Sequence, residues 1–217
     1  MKLIRRHYEE GYHQLFLTRE AANSQRNHAR LRLLLNYQTG GSLLEVGCGM
    51  GGFLRQAESF FNVEGVDVSR AAIEAIRPHF GDRVSVFNIE QRPLSQRLLP
   101  RGGYAAIAVF NVLEHLHQPA RIVEKLYRTL SPGGVLLGSV PNNFGLVGGV
   151  NTRLGNFFDR THISTLPPAA WRRIFQHAGF QQVTFFGEVT LGPNRCRYLS
   201  GRFWPYISFN LMFACQK

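Results

Sequence analysis

An α/β fold built on a parallel sheet is predicted, and three observations predict it. From residue 42 onward, short apolar runs alternate with helix-spaced segments five times over. The run 104–113, YAAIAVFNVL, is apolar almost throughout, as expected of a strand buried on both faces. A glycine-rich loop, Gly47–Gly52, ends the first run and opens a helix-spaced segment. Such alternation implies parallel strands joined by right-handed crossovers, with helices on both faces of the sheet.

Each element follows from its local pattern. Residues 1–40 read as a polar, aromatic helical cap, in which Leu31, Leu33, Leu34 and Leu35 give the last part an apolar face before Gly40-Gly41. SLLEVG (42–47) is the first strand, and FLRQAESF (53–60) has helical spacing. NVEGVDVS (62–69) is a second strand, ending at Asp67. The following helix is expected to stop at Pro78, and RVSVFNIE (83–90) alternates as a third strand. After the buried run, residues 119–130 carry Ile122, Leu126 and Leu130 on one helical face. SPGG (131–134) reads as a turn before the strand 135–141. Residues 142–165, rich in Gly and Asn, break the rhythm and read as an active-site loop or lid. A helix over 166–179 has prolines at its start and Gly179 after its end. Two final strands, 180–187 and 206–217, are expected to form an antiparallel hairpin around an excursion at 188–205.

The chain has 217 residues, which suits one well-filled domain better than two. Its formal net charge is +11, nearly all from arginine, since lysine occurs only at 2, 125 and 217. A basic surface can attract nucleic acid, anionic lipid or acidic substrates, but no run of five or more basic residues marks a tail for nucleic acid. Cys48, Cys196 and Cys215 have neither metal-ligand spacing nor the even number of a disulfide framework, so a reducing cytoplasm is expected. No stretch is long and apolar enough for a signal peptide or a spanning helix.

The loop carries the chemistry. Glycines at Gly47, Gly49, Gly51 and Gly52 let a backbone turn tightly and approach a ligand. Asp67, twenty residues past Gly47, can accept hydrogen bonds from both hydroxyls of a ribose. Gly47, Gly49 and Gly52 also fit the dinucleotide pattern, so a nicotinamide oxidoreductase is an alternative. Glu45 separates the two: an acid beside the loop repels a pyrophosphate but supports a ligand bearing a sulfonium and an ammonium.

Glu45-Val46-Gly47-Cys48-Gly49-Met50-Gly51 resembles motif I of the class I S-adenosylmethionine-dependent methyltransferases. Val66-Asp67-Val68-Ser69, Asn88-Ile89-Glu90, Phe110-Asn111-Val112-Leu113-Glu114-His115-Leu116, Leu130-Ser131-Pro132-Gly133-Gly134 and Ala178-Gly179-Phe180 resemble its later motifs, in order. The segment 110–116 is similar to the ubiquinone-biosynthesis-like branch. The resemblance implies a Rossmann-like, seven-stranded, mostly parallel sheet with the last strand antiparallel. It implies S-adenosyl-L-methionine as cofactor, over a domain of residues 41–217. Glu45 and the loop residues Gly47, Cys48, Gly49 and Gly51 would carry the methionine part, and Asp67 the ribose. Val68, Asn88 and Ile89 would lie at the adenine, and Phe110, Asn111 and His115 on the methionine side. Val68 and Ile89 fit the core as well, and Asp67 fits a helix N-cap. One departure stands out: Ala105 follows Tyr104 where the family usually has aspartate.

Methyl transfer needs alignment and, for an oxygen nucleophile, removal of a proton. His115 and His162 are candidate bases, with Asp159 three residues before His162 to orient it. Phe144, Phe157, Phe158 and Trp171 are candidates for the acceptor pocket. Relatives in the quinone branch are thought to hold a divalent metal through a glutamate followed by Glu-His. Asn111 stands at the first of those positions, so no metal is expected. The segment Arg202-Phe203-Trp204-Pro205-Tyr206-Ile207 fits a lipid-like acceptor, a membrane surface or a wet loop before a core strand. A small-molecule acceptor, through oxygen, is the leading expectation. An RNA or protein methyltransferase and a cofactor-binding protein without catalysis are the alternatives.

Overall fold

A computed structural model describes residues 20–91, 100–142, 162–190, 196–201, 203, 208 and 210–217. The elements in chain order are α1 (Glu20–Leu35), β1 (Ser42–Val46), α2 (Gly52–Ala57), β2 (Asn62–Asp67), α3 (Arg70–Phe80), β3 (Val84–Val86), β4 (Tyr104–Phe110), α4 (Pro119–Thr129), β5 (Leu130–Pro141), α5 (Pro168–Ala178), β6 (Gln182–Thr190), β7 (Cys196–Ser200) and β8 (Asn210–Gln216). They form one sheet in the order β3-β2-β1-β4-β5-β8-β6-β7. The first five strands in that order run parallel, and β8 runs antiparallel to both β5 and β6.

The α/β class is as expected, with eight strands instead of seven. The extra strand comes from the excursion between the last two expected strands. Part of it folds back as β7 and pairs antiparallel with the outer edge of β6. That pairing supplies partners for main-chain groups that an edge strand otherwise leaves open.

Two apolar clusters cover the two faces of the sheet. Leu44, Val46, Ile107 and Val109 face a cluster that includes Ile122 and Leu126 of α4 and Trp171 and Phe175 of α5. Their neighbours Leu43, Ala106 and Ala108 face Leu34 of α1, Phe53 and Leu54 of α2, and Ile73 and Ile76 of α3. Strand period two sends successive side chains to opposite faces, and the near-continuous apolar run of β4 fills both.

Four local expectations change. Helix α3 continues through Pro78 to Phe80, because the proline sits in its last turn, where it removes only one helical hydrogen bond. Strand β3 is only three residues long, because Asn88 then turns the chain: its side-chain oxygen accepts from the Glu90 amide at 2.9 Å. Ser131–Gly134 lie within β5 as a bulge, since Leu130 pairs with Tyr104 and pairing resumes at Val135 with Ala106. Finally, Ala105 meets Gly41 closely: a Cβ on Gly41 would lie 2.8 Å from that of Ala105. The small residue at 105 matches this approach.

Gly138 gives a stability test. It sits between Val109 and Phe213 in the sheet, and a Cβ there would lie 2.3 Å from the Val109 carbonyl oxygen and 2.4 Å from Phe213 Cζ. Backbone in a central strand cannot retreat. Gly138→Ala should destabilise the fold by about 2–3 kcal/mol, read as a lowered thermal midpoint.

Candidate active site

The sheet order reverses between β1 and β4. In open α/β sheets ligands bind at such a switch point, beyond the carboxyl ends of the strands. A cleft of about 690 Å³ opens there. It is lined by the loop after β1, the ends of β2 and β4, the turn after β3, and one face of α1.

The loop is shaped by its glycines. Gly47 has φ 77°, and a Cβ on it would lie 2.4 Å from Val112 Cγ2. The Gly47 and Cys48 amides both donate to the Val66 carbonyl, at 2.7 and 3.1 Å. Asp67 locks the loop to the second strand: one carboxylate oxygen accepts from the Gly49 amide and the other from the Ser69 amide, each at 2.8 Å. Burial raises the Asp67 carboxyl above its ordinary range, and the Ser69, Gly49 and Val68 amides oppose that rise. Ser69 then caps α3, accepting from the Ala72 amide at 3.2 Å. The helix cap is therefore Ser69, and Asp67 faces the cleft.

Glu45 is the electrostatic anomaly of the site. Only 4% of it is exposed, and among the described residues its Oε2 has no hydrogen-bond partner. Burial pushes its carboxyl well above the ordinary range. Arg30 acts the other way, and the charge of Asp67 reinforces the rise. The Cys48 thiol is held far above its usual range by burial and by the nearby acids, so it stays protonated.

Across the cleft, Asn111 adopts φ 53°, a left-handed conformation that Asn tolerates better than most residues. Its amide donates to the Ser139 carbonyl and its side-chain oxygen accepts from the Ser139 hydroxyl, both at 2.8 Å. Next to it the 113–116 turn is stapled to the segment after residue 161. The Ser164 amide donates to the Glu114 carbonyl at 2.8 Å, and the Ser164 hydroxyl to the Leu116 carbonyl at 2.6 Å. That staple brings His162 to His115, with ring centroids 4.8 Å apart. Buried Glu114 joins them: one ligand atom from each of the three lies within 4.8 Å of the others. Such a group can pass a proton or hold a divalent cation. The expectation of no metal counted Asn111 and left out His162.

Of the residues expected at the cofactor, Glu45, Gly47, Cys48, Gly49, Asp67, Val68, Asn88, Ile89, Phe110, Asn111 and His115 line the cleft. Val68 is 39% exposed there, so it is not core, whereas Ile89 both packs in the core and reaches the cleft. Gly51 lies behind the loop, where a Cβ would meet Phe80 Cε2 at 2.8 Å. Trp171 is a correction: it is 1% exposed and stacks on Phe175 under the sheet, away from the cleft. Phe144, Phe157, Phe158, Asp159 and most of the expected lid lie outside the described residues. Of the aromatic segment after β7, only Phe203 is described, and it is 71% exposed.

Three contributors from α1 escaped the sequence reading. Arg26, Asn27 and Arg30 all line the cleft. The Arg30 guanidinium lies 4.1 Å from the centre of the Phe110 ring. It donates through Nη1 to the Asn27 side-chain oxygen at 3.0 Å, while its buried Nε has no partner among the described residues. Arg26 forms an ion pair through Nε with Glu188 of β6 at 3.2 Å.

Known proteins match this chain along most of its length. A family model described as a methyltransferase domain matches residues 13–184. A protein named as a probable S-adenosylmethionine-dependent methyltransferase, from Mycolicibacterium smegmatis, is 33% identical over 70% of this chain, which spans only 55% of that protein. A ubiquinone biosynthesis O-methyltransferase of Psychrobacter arcticus is 27% identical over 82% of this chain and 72% of its own. In fold, the chain superposes on a SAM-dependent methyltransferase from Archaeoglobus fulgidus with a TM-score of 0.70 at 19% identity, covering 94% and 99% of the two chains. The glycine loop, the acid that braces it and the cleft at the switch point thus sit in a chain that belongs to the methyltransferase domain family, in its S-adenosylmethionine-dependent class.

Proposed function

We propose that this chain transfers the methyl group of S-adenosyl-L-methionine to a small-molecule acceptor, through an oxygen nucleophile. The observation that carries the donor assignment is Glu45: a buried carboxyl with an orphaned oxygen, beside a glycine loop, matches a cationic ligand. The ligand supplies an activated methyl on a sulfonium, so the leaving group comes with it.

The chain's own residues have four tasks. Glu45 offers negative charge to the cationic methionine end. Arg30, which lines the same cleft, offers guanidinium donors to that end's carboxylate. Asp67, already fixed by two amides, presents its remaining lone pairs to the ribose. His115 and His162 accept the acceptor's proton, His115 from a place on the cleft wall. The name of the Psychrobacter relative supports an oxygen acceptor. Among the described residues no helix is long and apolar enough to cross a membrane.

Calorimetry with S-adenosyl-L-methionine and with NAD tests the donor. Binding of the first and not the second is expected, and the reverse would overturn the reading. Asp67→Ala should weaken the S-adenosyl-L-methionine affinity by about tenfold to a hundredfold, because a charged acceptor of hydrogen bonds is lost.

A further inference from the structure

We infer that the acceptor carries an anionic group, a carboxylate or a phosphate, and that Arg26 holds it. This rests on the methyl-transfer reading above, and names the class of acceptor for the same cleft.

The wall that α1 presents to the cleft is made of donors. Arg26, Asn27 and Arg30 stand at i, i+1 and i+4, so the two arginines share one helix face. The Asn27 side-chain oxygen accepts from Arg30. No described residue accepts from the two Nη atoms of Arg26. The two guanidiniums can give hydrogen bonds to an anion and take none from a donor.

The donor molecule accounts for only one of the two guanidiniums. S-adenosyl-L-methionine has a single carboxylate, and the reading above gives it to Arg30, which lies over Phe110 and close enough to Glu45 to act on its charge. Arg26, one turn earlier on the helix, is left over. Its position is built. Buried Glu188 pairs with its Nε, and Glu188 is itself held by the Asn210 side-chain amide at 3.2 Å and the Tyr198 hydroxyl at 3.4 Å. This cluster from β6, β7 and β8 sets a buried carboxylate against the Nε side of the guanidinium, and no described residue accepts from its Nη atoms. A planar fork held this way suits two parallel hydrogen bonds to a carboxylate or phosphate.

Glu188 offsets the charge of Arg26, so what the Nη atoms offer an anion is hydrogen-bond donors, and the carboxylates that line the cleft are engaged elsewhere. Asp67 is engaged at the loop, and Glu90 accepts from the His117 amide at 2.8 Å, on the side of the turn after β3. Glu45 is the acid nearest the methionine end, where the donor's ammonium answers it.

The test uses the full chain saturated with S-adenosylhomocysteine and titrated with benzoate, phenyl phosphate and benzamide. At least one of the two anions should bind about tenfold or more tightly than neutral benzamide. The better of the two identifies the group as carboxylate or phosphate. Arg26→Gln should abolish the preference and leave S-adenosylhomocysteine affinity within about twofold, whereas Arg30→Gln should weaken S-adenosylhomocysteine itself. Because Arg26→Gln strands buried Glu188, the pair Arg26→Gln/Glu188→Gln serves as the folded control and should lose the preference equally. Two results overturn the inference: neither anion exceeding benzamide, or Arg26→Gln weakening S-adenosylhomocysteine as much as Arg30→Gln. A chain that binds no S-adenosylhomocysteine at all would instead overturn the methyl-transfer reading.

Discussion

Glu45→Gln should make the empty protein more stable at pH 8 and make it a poorer host for S-adenosyl-L-methionine. The two effects share one cause. Burial raises the Glu45 carboxyl well above 4.5 in the folded chain, so the folded state holds this proton more tightly than the unfolded state does. Its contribution to stability is full below about pH 4.5 and declines as pH climbs through the raised value. Glutamine keeps the shape and removes the proton equilibrium. A gain of about 1–3 kcal/mol at pH 8 is expected, shrinking towards pH 5, read from thermal unfolding at the two values. Ligand binding runs the opposite way. A cationic ligand favours the ionised carboxylate, so wild-type affinity should rise with pH as the proton comes off more easily. The variant should bind about tenfold more weakly at pH 8 and show a flatter pH profile. A variant that keeps both wild-type affinity and the wild-type slope would remove Glu45 from the donor site.

What could be read from the sequence was what is local. Glu45, the glycines and Asp67 lie within one strand–loop–helix–strand unit, where spacing dictates geometry. The ends of α5 were equally legible, because Pro167 and Gly179 act on their own backbone. Errors arose where a local signal met a tertiary decision. Trp171 looked like a pocket aromatic, but its helix turns that face to Phe175 and the sheet. Ser131–Gly134 looked like a turn, but β4 pairs on both sides of it and makes it a bulge. The arginines of α1 gave no signal beyond a spacing of four, since their role depends on how that helix packs beside β7 and over the cleft. The approach of His162 to His115 was invisible for the same reason: it is made by Ser164 bonding to the 114–116 turn, across a long stretch of chain.

That approach leads to the largest expected effect on turnover. If the two imidazoles serve one proton, His162→Ala and His115→Ala should each lower kcat by about a hundredfold to ten-thousandfold. S-adenosyl-L-methionine affinity should fall by no more than a few-fold for His162→Ala, and somewhat more for His115→Ala, whose side chain lines the cleft. The rings are 4.8 Å apart, too close for independent sites. The double variant should therefore lose little more than the worse single one, as residues that act as a unit do. Chelation separates this role from metal binding by Glu114, His115 and His162, whose ligand atoms cluster within 4.8 Å. Turnover that survives dialysis against EDTA points to a base. Turnover lost to EDTA and restored by zinc or manganese points to a two-histidine, one-carboxylate metal site and transfers the histidines to that task. Full activity in the double variant would take both residues out of the chemistry, leaving alignment in the cleft as the main source of rate.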